Sequence, residues 1–241
     1  MAGFQISRIK KQTDPKQDFT TTQASDGTQT VNAGGYFGTF LDMDATAKTE
    51  ADLIRRYREI AIHPECDMAV EDIVNEAIVS NEMKDPVRIN LEGLPYGKDI
   101  RRKIEHEFGE LLRLLNFGVK GHDIFRRWYV DGRIYFQKLI DRITELRYID
   151  PRKIKKIREV KKVRPNGKTD LTIVDEYIEY YLFNEKGVSQ STAGSGIKIA
   201  PDTIAFCPSG LVDQNKHNMV LSYLHKAIKP VNQLRMIEDA V

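Results

Sequence analysis

The sequence has few cysteines and no long hydrophobic run. Its two cysteines, Cys66 and Cys207, lie far apart in the chain without C-x-x-C spacing, and the N-terminus has no apolar signal core. This combination predicts synthesis in a reducing cytoplasm. No apolar run approaches the roughly 20 residues that a membrane-spanning helix requires, so the chain is expected to be soluble.

The familiar catalytic spacings are also missing. No stretch matches the phosphate-binding pattern GxxxxGK[ST], including GSGIK at residues 194–198, which speaks against an ATP-driven motor. The five histidines show neither HExxH spacing nor pairing with the cysteines. Ser209 lies in CPSGLVD rather than in a GxSxG elbow, which favours a turn over a nucleophile. We therefore expect no catalytic residue, no cofactor and no metal site.

Composition limits the choice of partner. The 241 residues are 41% hydrophobic, enough for one large domain or two small ones with a real core. Charged residues make up 30% of the chain, yet the net charge is only +2. There is no global electrostatic reason for tight nucleic-acid binding, and any such contact must come from a local patch.

The first 46 residues are polar and rich in Thr, Gln, Asp and Gly, and we predict that they form a flexible arm. Apolar periodicity then predicts helices over residues 49–62, 65–80, 98–116 and 122–131. Asp123 is placed to cap the fourth helix and Gly132 to end it. Trp128, the only tryptophan, is the predicted core peg between the helices and the sheet because it could bury the most apolar area.

Alternation with a period of two predicts strands within residues 87–92, 133–141, 145–149, 155–163, 171–183 and 197–206. The turn at residues 165–167 should join a basic strand to an acidic return strand as a hairpin. Leu234, Ile237 and Val241 continue an apolar helical stripe to the last residue. The predicted class is α+β, with N-terminal helices packed on a mostly antiparallel β region and a helix starting at the end.

Two clusters of cations leave alternatives open. The basic run over residues 152–164 could contact phosphates, or it could be a solvated strand face that the acidic return strand partly neutralises. Arg126 and Arg127 beside Trp128 could form a nucleic-acid stacking site, or ion pairs at the rim of the core or with a neighbouring subunit.

Four segments carry a family resemblance. They are FRRWYVDGRIYF at residues 125–136, YIDPRKI at 148–154, SGLVD at 209–213 and LHKAIKPVNQLRMIEDAV at 224–241. From about Ala47 onward the chain resembles the portal vertex protein of T-even-type tailed bacteriophages. The resemblance implies a wing domain over residues 47–228 and the start of a stem helix over residues 229–241.

The resemblance further implies a non-enzymatic structural subunit that is made late, in the cytoplasm of the bacterial host. Twelve copies would form a ring at one capsid vertex of the virion, start head assembly, and let double-stranded DNA pass during packaging and ejection without sequence preference. The implied partners are other copies of the chain, the major capsid protein and scaffold, the large terminase subunit and the neck or head-completion proteins.

A ring of this kind needs a head-to-tail contact between two different surfaces of the subunit. We expect a basic side formed by Arg126, Arg127, Lys155, Lys156, Lys161 and Lys162. We expect it to meet an acidic side formed by Glu65, Glu71, Asp72 and Glu76. The alternative function is a nucleic-acid-binding module that uses the basic run of residues 152–164, with steeply salt-dependent affinity.

Overall fold

A computed structural model describes the protein over part of the chain. The described residues are 28–32, 50–79, 86–138, 145–163, 173–188, 196–213 and 219–240. Most of the predicted N-terminal arm, residues 139–141 and 171–172 of two predicted strands, the predicted turn at 165–167 and Val241 lie outside them. Within the described residues, helices pack beside two sheets, which confirms the predicted α+β class.

Five α-helices lie in the described residues. They are α1 (Glu50–Ala61), α2 (Pro64–Ala77), α3 (Lys98–Leu115), α4 (Phe117–Asp131) and α5 (Ile228–Glu238). Pro64 occupies the first turn of α2, where its missing N–H is not needed. Asn116 adopts a left-handed conformation, with φ 48°, and separates α3 from α4. The fourth helix therefore begins at Phe117, ahead of the predicted 122, and Asp123 lies inside it rather than capping it.

The strands form two sheets. They are β1 (Gln29–Asn32), β2 (Arg133–Lys138), β3 (Leu146–Ile149), β4 (Ile154–Val163), β5 (Ile173–Phe183), β6 (Ile197–Ile199) and β7 (Ile204–Pro208). One sheet has the order β1-β4-β5-β6 and the other β3-β2-β7. All pairs are antiparallel except β1 with β4. The predicted pairing of these strands is confirmed, because β4 pairs antiparallel with β5 over the length of both strands.

Two predictions about strands are wrong. Residues 29–32 of the predicted flexible arm form β1, which pairs in parallel with residues 157–160 of β4. Residues 87–92, predicted as a strand, are in no sheet. Asn90 explains the second error, because its side-chain oxygen accepts a 2.9 Å hydrogen bond from the Glu92 backbone N–H and turns the chain.

The last segment also differs from its prediction. Ahead of the predicted stem helix, Val220 forms an antiparallel bridge with Val212. Ser222 then caps a short 3-10 helix, Tyr223–Ala227, by accepting a hydrogen bond from the Leu224 N–H. Helix α5 follows directly, and it ends at Glu238 rather than continuing through residue 240.

The core nearest the helices is built on α1 rather than on Trp128. Its buried residues are Leu53, Tyr57, Ala61, Val70, Val74, Val130, Met219 and Leu224. Tyr57 is fully buried, whereas Trp128 is only half-buried. Trp128 lies at the rim, where its ring is 5.6 Å from that of Phe125 and 5.5 Å from that of Tyr223. The prediction that Trp128 is the core peg is not what the structure shows, because its helix turns Val130 inward instead.

Candidate subunit interface

A buried ion triad joins α1 to both sheets. Glu50, the first residue of α1, accepts a 2.7 Å hydrogen bond from Nη1 of Arg133 on one carboxylate oxygen. Its other oxygen lies 3.2 Å from Nζ of Lys155. Burial alone would raise the pKa of Glu50, but the charges of Lys155 and Arg133 outweigh it and lower the pKa to about 2. The triad therefore fixes the start of α1 against β2 and β4.

A second network is centred on Arg58 of α1. Its Nε and Nη2 atoms donate to the two carboxylate oxygens of Asp131 at 2.9 and 2.7 Å. Its Nη1 donates to Asp150 at 3.2 Å, and Asp150 also accepts a 2.7 Å hydrogen bond from Arg152. Burial alone would raise the pKa of Asp150, but the hydrogen bonds from Arg152 and Arg58 hold it well below its usual range. This network joins α1, the end of α4 and the end of β3.

The two predicted interface arginines on α4 have partners within the chain. Arg126 donates to Glu71 of α2 at 2.8 Å and also to Asp67. Arg127 donates to Asp123 at 3.0 Å, and its guanidinium lies over the ring of Tyr148 at 4.7 Å. The prediction places Arg126 against the acidic side of another subunit. Its partners are instead Glu71 and Asp67 of the same chain, since α4 packs beside α2.

The described cations on the predicted basic face of β4 also have partners within the chain. Lys155 pairs with Glu50, while Lys156 lies 3.6 Å from Glu179 of β5. Arg158 donates from Nε to Glu179 at 2.7 Å. The side chains of Lys155, Lys156 and Arg158 are at most 15% exposed. Lys161 and Lys162 belong to β4, but their side chains lie outside the described residues.

The predicted acidic side divides into an inner and an outer set. Glu71 faces Arg126, and Glu65 lies 2.6 Å from Nδ1 of the buried His63. Asp72 and Glu76 are exposed on the outer face of α2. Within the described part of the chain, no basic side chain forms an ion pair with either of them. These two carboxylates remain available to a partner.

The predicted apolar face of the final helix is mostly uncovered. Leu234 is half-buried, Ile237 is 62% exposed, and Val241 lies outside the described residues. The buried residue of α5 is Val231 instead. Met236 is also exposed, at 73%.

Sequence reasoning missed the residues that connect the elements. It did not single out four members of the ion networks, Glu50, Arg58, Asp131 and Asp150. Their partners are 73 to 105 positions away in the chain or at the other end of a turn, so no local pattern joins them. Arg133 offered the only local signal, as a charge at the first position of a strand that reads as buried. Such a charge implies a buried counter-ion, although the sequence does not say which one.

The described residues contain no group of three His, Cys, Asp or Glu side chains that could hold a metal ion. None of the described helices is both long and apolar enough to cross a membrane. The strongest pKa shifts belong to residues in the ion networks and to buried tyrosines, which is typical of structural pairing.

Comparisons with known proteins identify relatives. The family model described as Bacteriophage T4-like portal protein (Gp20) matches residues 50–241. The portal protein of Vibrio phage KVP40 is 36% identical over 201 residues, covering 79% of this chain and 39% of the relative. The portal protein of Salmonella phage ViI is 26% identical over 235 residues, covering 90% of this chain and 42% of the relative.

This chain thus spans about two fifths of the length of the curated relatives that it matches. The family model covers the described helices and sheets from the first residue of α1 onward. The chain belongs to the T4-like portal protein family of bacteriophages.

Proposed function

We propose that this chain is part of a structural portal subunit that forms a closed ring, of twelve copies, at one vertex of a phage capsid. Double-stranded DNA passes through the ring during packaging and ejection. The observation that carries this proposal is the family match over residues 50–241. The subunit starts head assembly and contacts the major capsid protein, the scaffold, the large terminase subunit and the neck proteins.

The subunit acts without catalysis in this proposal. The charged side chains that the fold buries are paired with one another and connect α1 to α4, β2, β4 and the end of β3. A catalytic group needs a free reactive atom facing a substrate, whereas Glu50, Asp131 and Asp150 have their carboxylate oxygens occupied by cations. Their role is to hold the elements together.

Within the ring, residues 47–228 form the wing and residues 229–241 begin the stem. The contact of α5 with the end of α1 supports a defined junction between the two parts. Nη2 of Arg235 donates a 3.2 Å hydrogen bond to the backbone carbonyl of Glu59, and Glu238 lies 3.6 Å from Nε2 of His63. The helix is therefore held at a fixed place on the wing.

A conduit must let DNA slide, and each DNA phosphate that a protein neutralises raises the affinity for DNA. The net charge of +2 and the pairing of Arg152, Lys155, Lys156 and Arg158 with carboxylates suit a surface that does not retain DNA. The same pairing weighs against the alternative nucleic-acid-binding module, since those four cations of the basic run already have counter-ions.

Electron microscopy of the complete gene product tests the proposal. We expect closed rings with a central hole and twelve-fold symmetry. A complementation assay in infected cells is the matching functional readout, since loss of the gene product should leave no heads that contain packaged DNA. A purified protein that remains a monomer at every concentration tried, or that turns over nucleotide unaided, would contradict the proposal.

A further inference from the structure

A hydrogen bond between α1 and the segment ahead of α5 joins a buried hydroxyl to a titratable ring. The Tyr57 hydroxyl lies 2.7 Å from Nδ1 of His225, although the two residues are 168 positions apart. Tyr57 is fully buried in the core built on α1, and His225 is half-buried in the 3-10 helix Tyr223–Ala227. The two rings meet edge to face, with centroids 5.9 Å apart. Because α5 follows directly at Ile228, this contact holds the start of α5 on α1.

The tyrosine hydroxyl is the donor of this bond. Burial raises the pKa of Tyr57 above its usual range, so the phenol keeps its proton. Burial also lowers the pKa of His225 from its ordinary value, which favours the neutral ring. A neutral imidazole has one accepting nitrogen, and Nδ1 is the acceptor that the described part of the chain offers to the Tyr57 hydroxyl. The proton of the neutral ring therefore lies on Nε2.

Protonation of His225 removes this acceptor. The charged ring carries a hydrogen on both nitrogens, so Nδ1 and the hydroxyl would then face each other as two donors. Tyr57 cannot turn its hydrogen to water, because its side chain is fully buried. A buried donor without an acceptor is destabilising, whereas the half-buried His225 can reach water if its segment moves away. The charged ring therefore favours a state in which the 3-10 helix has left Tyr57.

We propose that the Tyr57–His225 hydrogen bond is an acid-sensitive latch, which holds the 3-10 helix and the start of α5 on α1 while His225 is neutral and releases them when His225 is protonated. The inference goes beyond the proposed ring, because it concerns the docking of one helix within the subunit. The folded pKa of His225 lies below its ordinary value of 6.5, so the neutral ring stabilises the docked state fully above pH 6.5. That contribution is lost as the pH falls further.

Charged groups around the pair act in both directions. Asp213 favours the protonated form of His225, but burial outweighs it. Arg133 of β2 lowers the pKa of Tyr57 and Glu50 of α1 raises it, and these two residues are paired with each other. The net effect keeps the ring neutral and the hydroxyl protonated at neutral pH.

Groups on α4 and on the chain after His225 do not favour the charged ring. Tyr129 of α4 stacks on Tyr223 of the 3-10 helix and stays neutral, because burial raises its pKa. Lys226 and Lys229 follow His225 in the chain and disfavour a further positive charge beside them. The latch is therefore set by burial and by Tyr57.

The far end of α5 has contacts that respond differently to acid. Nη2 of Arg235 donates to the backbone carbonyl of Glu59 at 3.2 Å, and arginine keeps its charge at any pH of interest. Glu238 lies 3.6 Å from Nε2 of His63, and this contact gains attraction when His63 is protonated. Acid should therefore release the start of α5 while its end stays on the wing.

Hydrogen exchange with mass spectrometry on the complete gene product tests the latch. Protection is measured at about pH 7.5 and about pH 5, which bracket the charge change of an ordinary histidine, and is corrected for the intrinsic exchange rate. We expect the protection of residues 223–231 to fall at least about threefold at the lower pH, because the open state becomes more populated. The protection of residues 235–238 should change less.

The H225N protein is the decisive variant. The amide oxygen of asparagine can accept from Tyr57 as Nδ1 does, but it does not become protonated, so protection of residues 223–231 should be equal at the two pH values. The Y57F protein keeps the buried ring and loses the donor, and its protection should be low at both. The H106N protein makes the same histidine-to-asparagine change at an exposed site on α3 and should respond to acid like wild type. Circular dichroism shows that each variant is folded.

Three results would overturn the inference. In the first, wild-type protection of residues 223–231 is the same at both pH values. In the second, H225N loses protection in acid as much as wild type does, so another group senses the pH. In the third, Y57F is protected like wild type at neutral pH, so the bond does not hold the helix. None of these measurements requires ring closure, and a protein that forms no rings would count against the proposed function alone.

Discussion

Glu50 shows at the scale of one residue how this fold uses charge. Its carboxylate accepts from Arg133 and lies against Lys155, and all three side chains are at most 15% exposed. A buried ion pair contributes little more to the free energy of unfolding than well-packed apolar side chains would. Removal of one partner is nevertheless strongly destabilising, because it leaves the remaining charge buried without a counter-ion. The cations of the triad therefore depend on Glu50 for their only carboxylate among the described residues.

Changing Glu50 to Gln should destabilise the protein at neutral pH by about 3 to 5 kcal/mol, because two buried cations lose their counter-ion. Since the folded pKa of about 2 lies below the ordinary value of 4.5, ionised Glu50 stabilises the fold above about pH 4.5 and loses this effect as the pH falls toward 2. The difference in the free energy of unfolding between wild type and E50Q should thus become smaller at acidic pH. Urea unfolding between about pH 7 and pH 3 measures it.

Glu145 provides the matched control. Its side chain is 56% exposed and pairs at 3.2 Å with the equally exposed Arg147. Surface pairs of this kind contribute about 0 to 1 kcal/mol, so E145Q should unfold like wild type at each pH. If E50Q were as stable as E145Q at neutral pH, the triad would have no structural role.

Gly132 is the residue at which α4 ends and β2 begins. It has φ +71°, and a Cβ atom there would lie 2.6 Å from the carbonyl oxygen of Leu221. Because that neighbour is backbone, it cannot rotate away. Changing Gly132 to Ala should lower the free energy of unfolding by about 2 kcal/mol or more, from the left-handed conformation and the clash together.

Gly109, in the middle of α3, is the matched control for this change. It has no heavy atom within 4 Å of an added Cβ, and alanine favours helices by about 1 kcal/mol over glycine. G109A should therefore keep or raise the melting temperature while G132A lowers it. Equal melting temperatures for the two variants would show that the helix-to-strand junction tolerates a side chain.

At the scale of elements, the short strand β1 has a consequence for the sheet. It covers the edge of β4 by parallel pairing at residues 157–160, and β4 would otherwise be an edge strand. Uncovered edges pair with other chains. A variant lacking residues 1–32 should show faster amide exchange at residues 157–160 and stronger aggregation than wild type. Hydrogen exchange with mass spectrometry measures the first effect, and light scattering measures the second.

Deletion of residues 1–27 keeps β1 and is the control for this prediction. We expect that variant to retain wild-type protection at residues 157–160 and to remain dispersed. If both deletions behave alike, the pairing of β1 with β4 does not protect the edge.

The elements with local signals were predictable. The helices α1 to α3 follow apolar periodicity, and the pairing of β4 with β5 follows from opposite charges, since Arg158 and Glu179 are direct neighbours across the ladder. β1 was not predictable, because the polar sequence QTVN gains its partner from a strand more than 120 positions later. Asn116 separates α3 from α4, and asparagine adopts the left-handed conformation more readily than most residues. The prediction instead started α4 near Asp123, because aspartate is a common helix cap.

At the scale of the whole molecule, several of the charges that the sequence suggested for contacts between subunits are paired inside the subunit. The predicted interface placed Arg126 and the face of β4 between subunits, yet carboxylates of the same chain pair with Arg126 and with Lys155, Lys156 and Arg158 of β4. Sequence reasoning recognised opposite charges but could not tell internal pairs from external ones, because both obey the same electrostatics. Exposed charges without a described ion pair lie on several elements, among them Asp72 and Glu76 on α2 and Glu105 and Glu107 on α3.

The position of Glu50 has a mechanical meaning. One of its oxygens touches β2 in the three-stranded sheet, and the other touches β4 in the four-stranded sheet. A force that pulls the two sheets apart must therefore load this carboxylate. Attraction between opposite charges falls off with distance far more slowly than dispersion between methyl groups. The ion triad therefore still attracts the two sheets at separations where an apolar contact between them would already be lost.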